Sequence, residues 1–242
     1  VHRMNGALIN AFGIVVGGAG GLAASKPIPA SSALALKIIL GVLTVWYGLK
    51  LTWVSLNGSL RQLFGELAIV LLAMGFGKMI GRLLRLQKYS NSIGRHATQT
   101  LTAPAGPKRF NDGFLLATGL FCAGPLALLA SVQEGLNGFS PVFFVKAGID
   151  GLATYAFCER FGWGVILSAI PVLALENALI RGAQLLEPVL RARPGPVLDA
   201  INATDGLLIF CVAMIILGLK KIAVADYFPS LALAPLLTWW LW

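Results

Sequence analysis

Long apolar runs, broken by short clusters of Gly, Pro, Asn and basic residues, set the pattern of this chain. Runs over residues 6–22, 33–54, 63–83, 113–131, 141–158, 163–186 and 206–219 read as membrane spans, which need about 20 mostly apolar residues. The Trp-rich tail over 228–242 supplies about 22 Å of helix at 1.5 Å per residue, short of a ~30 Å hydrocarbon core. The pattern predicts an all-α polytopic membrane protein with seven full transmembrane helices and a short C-terminal eighth segment. In that tail Trp239, Trp240 and Trp242 suit the headgroup region.

The breaks between runs carry turn chemistry. Lys26-Pro27-Ile28-Pro29 turns the chain after the first span, Asn57-Gly58 after the second, and Gln133-Glu134-Gly135 forms a loop before the fifth. A Pro-rich loop over 187–196 leads toward the seventh, which closes at Lys220-Lys221. Residues 84–111 are the longest polar stretch, a loop holding Arg85, Lys88, Arg95, Lys108 and Arg109. Within span four, Gly124-Pro125 should kink the helix unless a neighbour or water satisfies the freed carbonyl. The first run follows no basic n-region with a small-residue cleavage site, so it reads as a helix and not a removed leader.

Composition agrees with this reading: 57% of the 242 residues are apolar and 12% charged, against about 45–50% and about 25% in an average soluble domain. Almost nothing is left for a soluble domain. The net charge of +9 would suggest nucleic acid in a soluble protein, but here the basic residues gather at helix ends and in one loop, the signature of topology. Placing 84–111 in the cytoplasm puts Lys26, Arg160, Lys220 and Lys221 there as well and leaves Arg3, Arg61, Arg191 and Arg193 outside. The N-terminus is therefore expected outside. Cys122, Cys158 and Cys211 all fall in apolar runs and read as small packing residues.

The halves echo each other weakly. Lys37-Ile-Ile-Leu-Gly41 lies against Lys146-Ala-Gly-Ile-Asp150, Phe64-Gly65 against Phe161-Gly162, and Arg82 and Arg181 end the third and sixth spans. Three crossings separate the copies, so the second would run through the bilayer inverted, as in many transporters. The expected organisation is a first three-helix repeat over 1–83, a basic cytoplasmic loop over 84–111, an inverted repeat over 112–187 and a C-terminal helix or hairpin over 188–242.

Several stretches together carry a family resemblance: Gly6-Ala-Leu-Ile-Asn10 with Gly17-Gly18, Leu120-Phe-Cys-Ala-Gly124-Pro125 running on to Gln133-Glu134-Gly135-Leu136, Lys146 with Asp150-Gly151, and Gly206-Leu-Leu-Ile209 before Leu219-Lys-Lys-Ile222. The chain resembles the YqgA-like bacterial membrane proteins, domain of unknown function family 554. The resemblance covers nearly the whole chain and implies a multi-pass protein of the bacterial inner membrane, with no established chemistry. It departs at Glu134 and Asp205, where Asp and Gly are expected; Asp205 puts a charge at the mouth of span seven.

Ionisable groups in mid-span cost about 2.5–3.5 kcal/mol each on insertion scales and mark interiors that do something. Asp150 is the first candidate, with Lys146 one turn earlier on the same helix face; the two form either a structural ion pair or part of an ion or substrate pathway. Gly151 lets a backbone or an ion approach. Glu176 and Asn177, a turn after the helix-weakening Pro171, form a polar lining or an interhelical hydrogen bond. Asn10 either coordinates through its amide oxygen or packs, and Lys37 either joins the pathway or snorkels to the surface. Gly13, Gly17, Gly18 and Gly21 on the first span, with Gly124 and Gly151, suit close helix packing, the alternative for the first span being an unwound stretch lining a cavity.

Enzymatic readings find little support. His2 and His96 lie outside the spans, and no HExxH, paired-Cys spacing, P-loop or dinucleotide fingerprint occurs. No cofactor, metal or nucleic acid is expected. The expected partners are the lipid bilayer, a small ion or solute, and a second copy of the chain if it forms a homo-oligomer. The leading expectation is a channel or secondary transporter; the rivals are a membrane scaffold or assembly factor with structural charges and a membrane-embedded enzyme.

Overall fold

The computed structural model describes residues 5–24, 27–56, 59–102, 109–192 and 196–241. Among them are ten α-helices and two 3-10 segments, with no strand. The helices are α1 (Gly6–Ala23), α2 (Ala30–Ser55), α3 (Leu60–Leu83), α4 (Leu86–Thr102), α5 (Arg109–Ala123), α6 (Pro125–Asn137), α7 (Val142–Phe161), α8 (Ala169–Arg191), α9 (Val197–Ile216) and α10 (Ser230–Leu241); the 3-10 segments are Gly162–Ser168 and Val224–Tyr227. The expected features at His2, Arg3, Lys26, Asn57-Gly58, Lys108, Arg193 and Trp242, and the side chain of Arg109, lie outside the described residues.

The helices are inside-out relative to a soluble domain. Along α2 the buried residues are Gly41, Thr44, Gly48, Thr52 and Ser55, whereas Ile38, Ile39, Val42, Leu43, Trp46 and Trp53 are exposed. Small and weakly polar residues inward with bulky apolar residues outward is the arrangement lipid selects; in water so large an apolar surface would aggregate. Among the described residues, five helical stretches are long and apolar enough to cross a bilayer, or six if the bent pair α5–α6 makes one crossing. One of the five is the 50-residue stretch Val142–Arg191, which contains α7, a 3-10 segment and α8. The chain is a multi-pass helical membrane protein.

Four boundaries differ from the sequence reading. Within the connection expected as a loop over 84–111, Leu86–Thr102 is helical, because Ile93, Ala97 and Leu101 recur at helical spacing in an otherwise polar stretch. Span four is broken outright, with a 54° bend between α5 and α6, and Gln133-Glu134-Gly135 lies inside α6. Pro171 falls in the first turn of α8, where the missing N–H would have had no partner, and α8 continues through Pro188 to Arg191. Finally, α9 begins at Val197, so Asp205 stands inside the helix and not at its mouth. Asp199, Asn202, Thr204 and Asp205 interrupt the apolar run that a sequence reader follows.

The chain divides into two compact units, residues 1–40 with 90–181 and residues 41–89 with 182–242. In the first, α1 lies along α7. Gly13, Gly17 and Gly21 meet Ala147, Gly151 and Tyr155 in rising order, so the helices run parallel, backbone on backbone. A Cβ added at Gly13 would stand 2.7 Å from the Ala147 carbonyl oxygen, and one at Gly151 2.8 Å from that of Gly13. Beside this seam, Ile14, Ala97, Leu116, Phe121, Phe161 and Val165 form the apolar core, and α4 contributes Ala97 to it.

In the second unit α3 packs against α10. Ala73, Ala200 and Ala234 form its small-residue core, and a Cβ at Gly77 would lie 2.6 Å from the Ser230 nitrogen. A glycine pair joins the C-terminal part of α2 to α9: an added Cβ on Gly48 or on Gly206 would stand 2.7 Å from the other's carbonyl oxygen. The Thr52 hydroxyl bonds back to the Gly48 carbonyl at 3.0 Å. The Val224–Tyr227 segment is tied to the start of α4, with Gln87 N donating to Asp226 Oδ1 at 2.9 Å and Ala225 N to Gln87 Oε1 at 3.1 Å.

Candidate functional site

Pro125 has no N–H, so the carbonyl of Phe121, four residues earlier, loses its helical partner. Gly124 stands before Pro125 in extended backbone, φ −61° and ψ 134°, and starts α6 on a new axis. The orphaned carbonyl is satisfied from another helix: Lys146 Nζ on α7 donates to Phe121 O at 3.1 Å. The cation thus sits at the break of the bent helix.

Lys146 also contacts two carboxylates. It bonds Asp150 Oδ2, one turn on along α7, and lies 3.4 Å from Glu176 Oε1 on α8. Asn10 of α1 closes the group from the other side, its Nδ2 donating to Asp150 Oδ2 at 3.1 Å and to Glu176 Oε1 at 2.8 Å. The side chains of all four residues are buried: Asn10 and Glu176 are 0% exposed, Lys146 2% and Asp150 6%. One ammonium therefore faces two carboxylates in a water-poor interior, where each charge interaction is several times stronger than in water. Asn10 Oδ1 and Glu176 Oε2 are buried acceptors without a protein hydrogen bond.

The glycine seam explains how Asn10 gets there. Backbone contact of α1 with α7 at Gly13–Ala147 and Gly17–Gly151 brings Asn10, one turn before Gly13, to the level of Lys146 and Asp150. The start of α1 is held by a second polar group. Glu134 of α6 accepts from Gly6 N at 2.9 and 3.1 Å through its two oxygens, a carboxylate on the positive end of a helix dipole. Asn5 caps the same end by accepting from Ala7 N at 3.0 Å and donates through Nδ2 to Asn177 Oδ1 at 2.8 Å. Above the break, a cavity of about 530 Å³ is lined by Ser90, Asn91, Arg95 and Thr98 of α4 and by Gly124 and Pro125.

Of the residues singled out from sequence, Asn10, Lys146, Asp150 and Glu176 come together. Asn177 is adjacent but turned away to Asn5, its own Nδ2 bonding Leu173 O at 2.9 Å. Lys37 is exposed and outside the group, because the face of α2 that carries it looks outward. Gly13, Gly17, Gly21 and Gly151 form the seam, and Gly18 meets the side chain of Ile166. Gly124 does not serve helix packing as expected: among the described residues, an added Cβ there would meet only the Leu120 and Phe121 carbonyl oxygens of α5 within 4 Å, so it serves the break. Sequence reasoning missed the roles of Asn5, Glu134 and the Phe121 carbonyl. Pro125 was the available signal for the last, since it announces an orphan acceptor four residues upstream. Among the described residues, no group of three or more His, Cys, Asp or Glu side chains could hold a metal ion, and the three cysteines are unpaired.

Comparison with known proteins places these features in a wider set. The family model described as a protein of unknown function (DUF554) matches residues 5–239. The uncharacterized protein YqgA of Escherichia coli (strain K12) is 27% identical over 240 residues, 97% of each chain. The uncharacterized membrane protein YdfK of Bacillus subtilis (strain 168) is 25% identical over 167 residues, 69% of this chain and 68% of the relative. No solved structure matches the chain.

Proposed function

The chain belongs to the DUF554 family of proteins of unknown function, and we propose that it is a channel or secondary transporter for a small ion or solute. The observation that carries the reading is the buried group of Asn10, Lys146, Asp150 and Glu176 at the break between α5 and α6. Broken helices whose free backbone groups meet ionisable side chains are how transporters build sites at the bilayer midplane. Here the excess carboxylate and the unpartnered oxygens Asn10 Oδ1 and Glu176 Oε2 favour a cation. Lys146 is then the resident counter-charge with which an entering cation competes.

The same proposal takes α7 and α8 as separate crossings on either side of Gly162–Ser168, which with α1, α2, α3, the bent pair and α9 makes seven spans. The 12-residue α10 is the short eighth segment. It reads the first and second sets of three spans as inverted repeats and places the protein in the bacterial inner membrane, the N-terminus outside and α4 on the cytoplasmic side. It assigns no enzymatic activity and allows a homo-oligomer. The rival, an assembly scaffold, draws support from the full set of protein partners around Lys146.

Flux assays separate the two. Purified protein in liposomes should pass at least one of K+, Na+ or H+, and Asp150→Asn should abolish or alter that flux while leaving a folded protein. No flux of any of the three, or unchanged flux in Asp150→Asn, overturns the transporter reading.

A further inference from the structure

The second compact unit holds a buried acid that the group around Lys146 does not use. Asp205 is 1% exposed, and neither of its carboxylate oxygens has a hydrogen-bond partner. It stands eight residues into α9, which begins at Val197, about 12 Å along the axis at 1.5 Å per residue. That depth is near the middle of a ~30 Å hydrocarbon core.

An ionised carboxylate left alone in such a place is far too costly to persist without a positive charge. Among the described residues no side chain of the unit bonds it. The charged or titratable groups on the elements packed against α9 are Lys37, Tyr47 and Lys50 on α2, Arg61, Glu66, Lys78 and Arg82 on α3, and Asp226 and Tyr227 on the 3-10 segment, with Asp199 and Cys211 on α9 itself. None of them bonds Asp205. Lys78 lies over the Tyr227 ring at 5.1 Å and Lys50 over that of Trp46 at 4.9 Å. Nor can the helix be rearranged cheaply to bring a donor in, because the next residue, Gly206, is held against the backbone of Gly48 and Thr52.

No described residue of the unit therefore neutralises the carboxylate, which leaves a metal cation or a proton. A metal cation needs several oxygen ligands, whereas neither Asp205 oxygen has a hydrogen-bond partner and the Thr52 hydroxyl beside Gly206 is turned to the Gly48 and Ala203 carbonyls. A proton needs one oxygen only. A way in is marked by two further acids. Asp199 is exposed in the first turn of α9, and α3, which carries Glu66, packs against α9. Glu66 is itself buried, with Oε2 unpartnered.

We propose that Asp205 is a proton-binding carboxyl in the middle of α9, loaded from the end of the helix marked by Asp199 and Glu66. The reaction is a reversible protonation: the carboxylate takes a proton from water as it becomes a neutral acid and returns it on release. The inference concerns the second unit alone and does not rest on the ion-pathway reading of the first.

Infrared spectroscopy of the full-length protein in lipid vesicles tests it. A carbonyl stretch of a protonated carboxyl should be present at neutral pH, shift on exchange into heavy water, and be missing in Asp205→Asn. Asparagine preserves the shape, so the variant should purify and melt like the parent, and Glu66→Gln should slow the heavy-water shift several-fold. A protonated-carboxyl band that survives Asp205→Asn unchanged overturns the proposal. A band abolished by NaCl or KCl at fixed pH also overturns it, and assigns the site to a metal cation. If Asp205→Asn fails to fold, Asp205→Glu decides: its band must reappear at a displaced frequency, and its absence sinks the idea.

Discussion

Replacing Lys146 by methionine removes the only cation in the buried group and keeps most of its volume, so the effect isolates charge from packing. Asp150 and Glu176 would then share the Asn10 amide with no counter-charge. Removing one partner of a buried ion pair costs about 3–5 kcal/mol. The Phe121 carbonyl, now bonded by Lys146 at 3.1 Å, would become an orphan inside the protein, at about 1–3 kcal/mol more. The expected loss of about 4–8 kcal/mol rivals the whole stability of an ordinary domain, about 5–15 kcal/mol. Unfolding in mild detergent, followed by circular dichroism against heat or added denaturing detergent, should show a large fall in the midpoint. Combining Lys146→Met with Asp150→Leu should recover much of it, since one uncompensated acid disappears, and the non-additivity measures the coupling. A single variant that unfolds within about 1 kcal/mol of the parent, the range of an ordinary surface change, would refute the reading of Lys146 as the electrostatic centre of the site.

Three further outcomes are expected. Gly17→Leu drives a side chain into the Gly151 backbone and should destabilise the protein by at least the 1–3 kcal/mol typical of overpacking, seen as a lowered melting temperature or loss of the monodisperse peak on size exclusion; unchanged behaviour would count against the seam. Pro125→Ala restores an N–H that competes with Lys146 for the Phe121 carbonyl, so it should leave the protein folded and change any flux measured in liposomes; identical flux would detach the break from transport. A cysteine at Ser92, exposed on α4, should resist an impermeant thiol reagent added to intact cells and react after permeabilisation. Labelling in intact cells would reverse the proposed orientation.

Much of the fold could be read from hydropathy, because lipid imposes a simple rule on length and composition. It failed where polar residues lie inside a helix. Asp199, Asn202, Thr204 and Asp205 hid the first half of α9, and the polar face of α4 concealed a helix whose inward side is little more than Ala97 and Leu101. The site was half legible for a similar reason. Lys146 and Asp150 are one turn apart, so local geometry alone pairs them. Asn10 reaches Asp150 across 140 positions of sequence and Glu176 across 166, a meeting decided by helix packing that no local pattern encodes. The glycines of α1 announced a close contact without naming α7 as its other side.

The seam between α1 and α7 has a mechanical consequence. Where two backbones touch through Gly13, Gly17 and Gly151, no flexible side chains lie between them to absorb small displacements. Such a surface is toothed: its next matching position lies a full helical turn away, about 5.4 Å, and intermediate offsets drive Cβ atoms into carbonyls. The two helices are therefore a single rigid strut. Asn10 and Asp150 ride on it at a fixed spacing, whereas Glu176 on α8 and the Phe121 carbonyl at the end of α5 join it through side-chain hydrogen bonds and an ion contact and not through backbone packing.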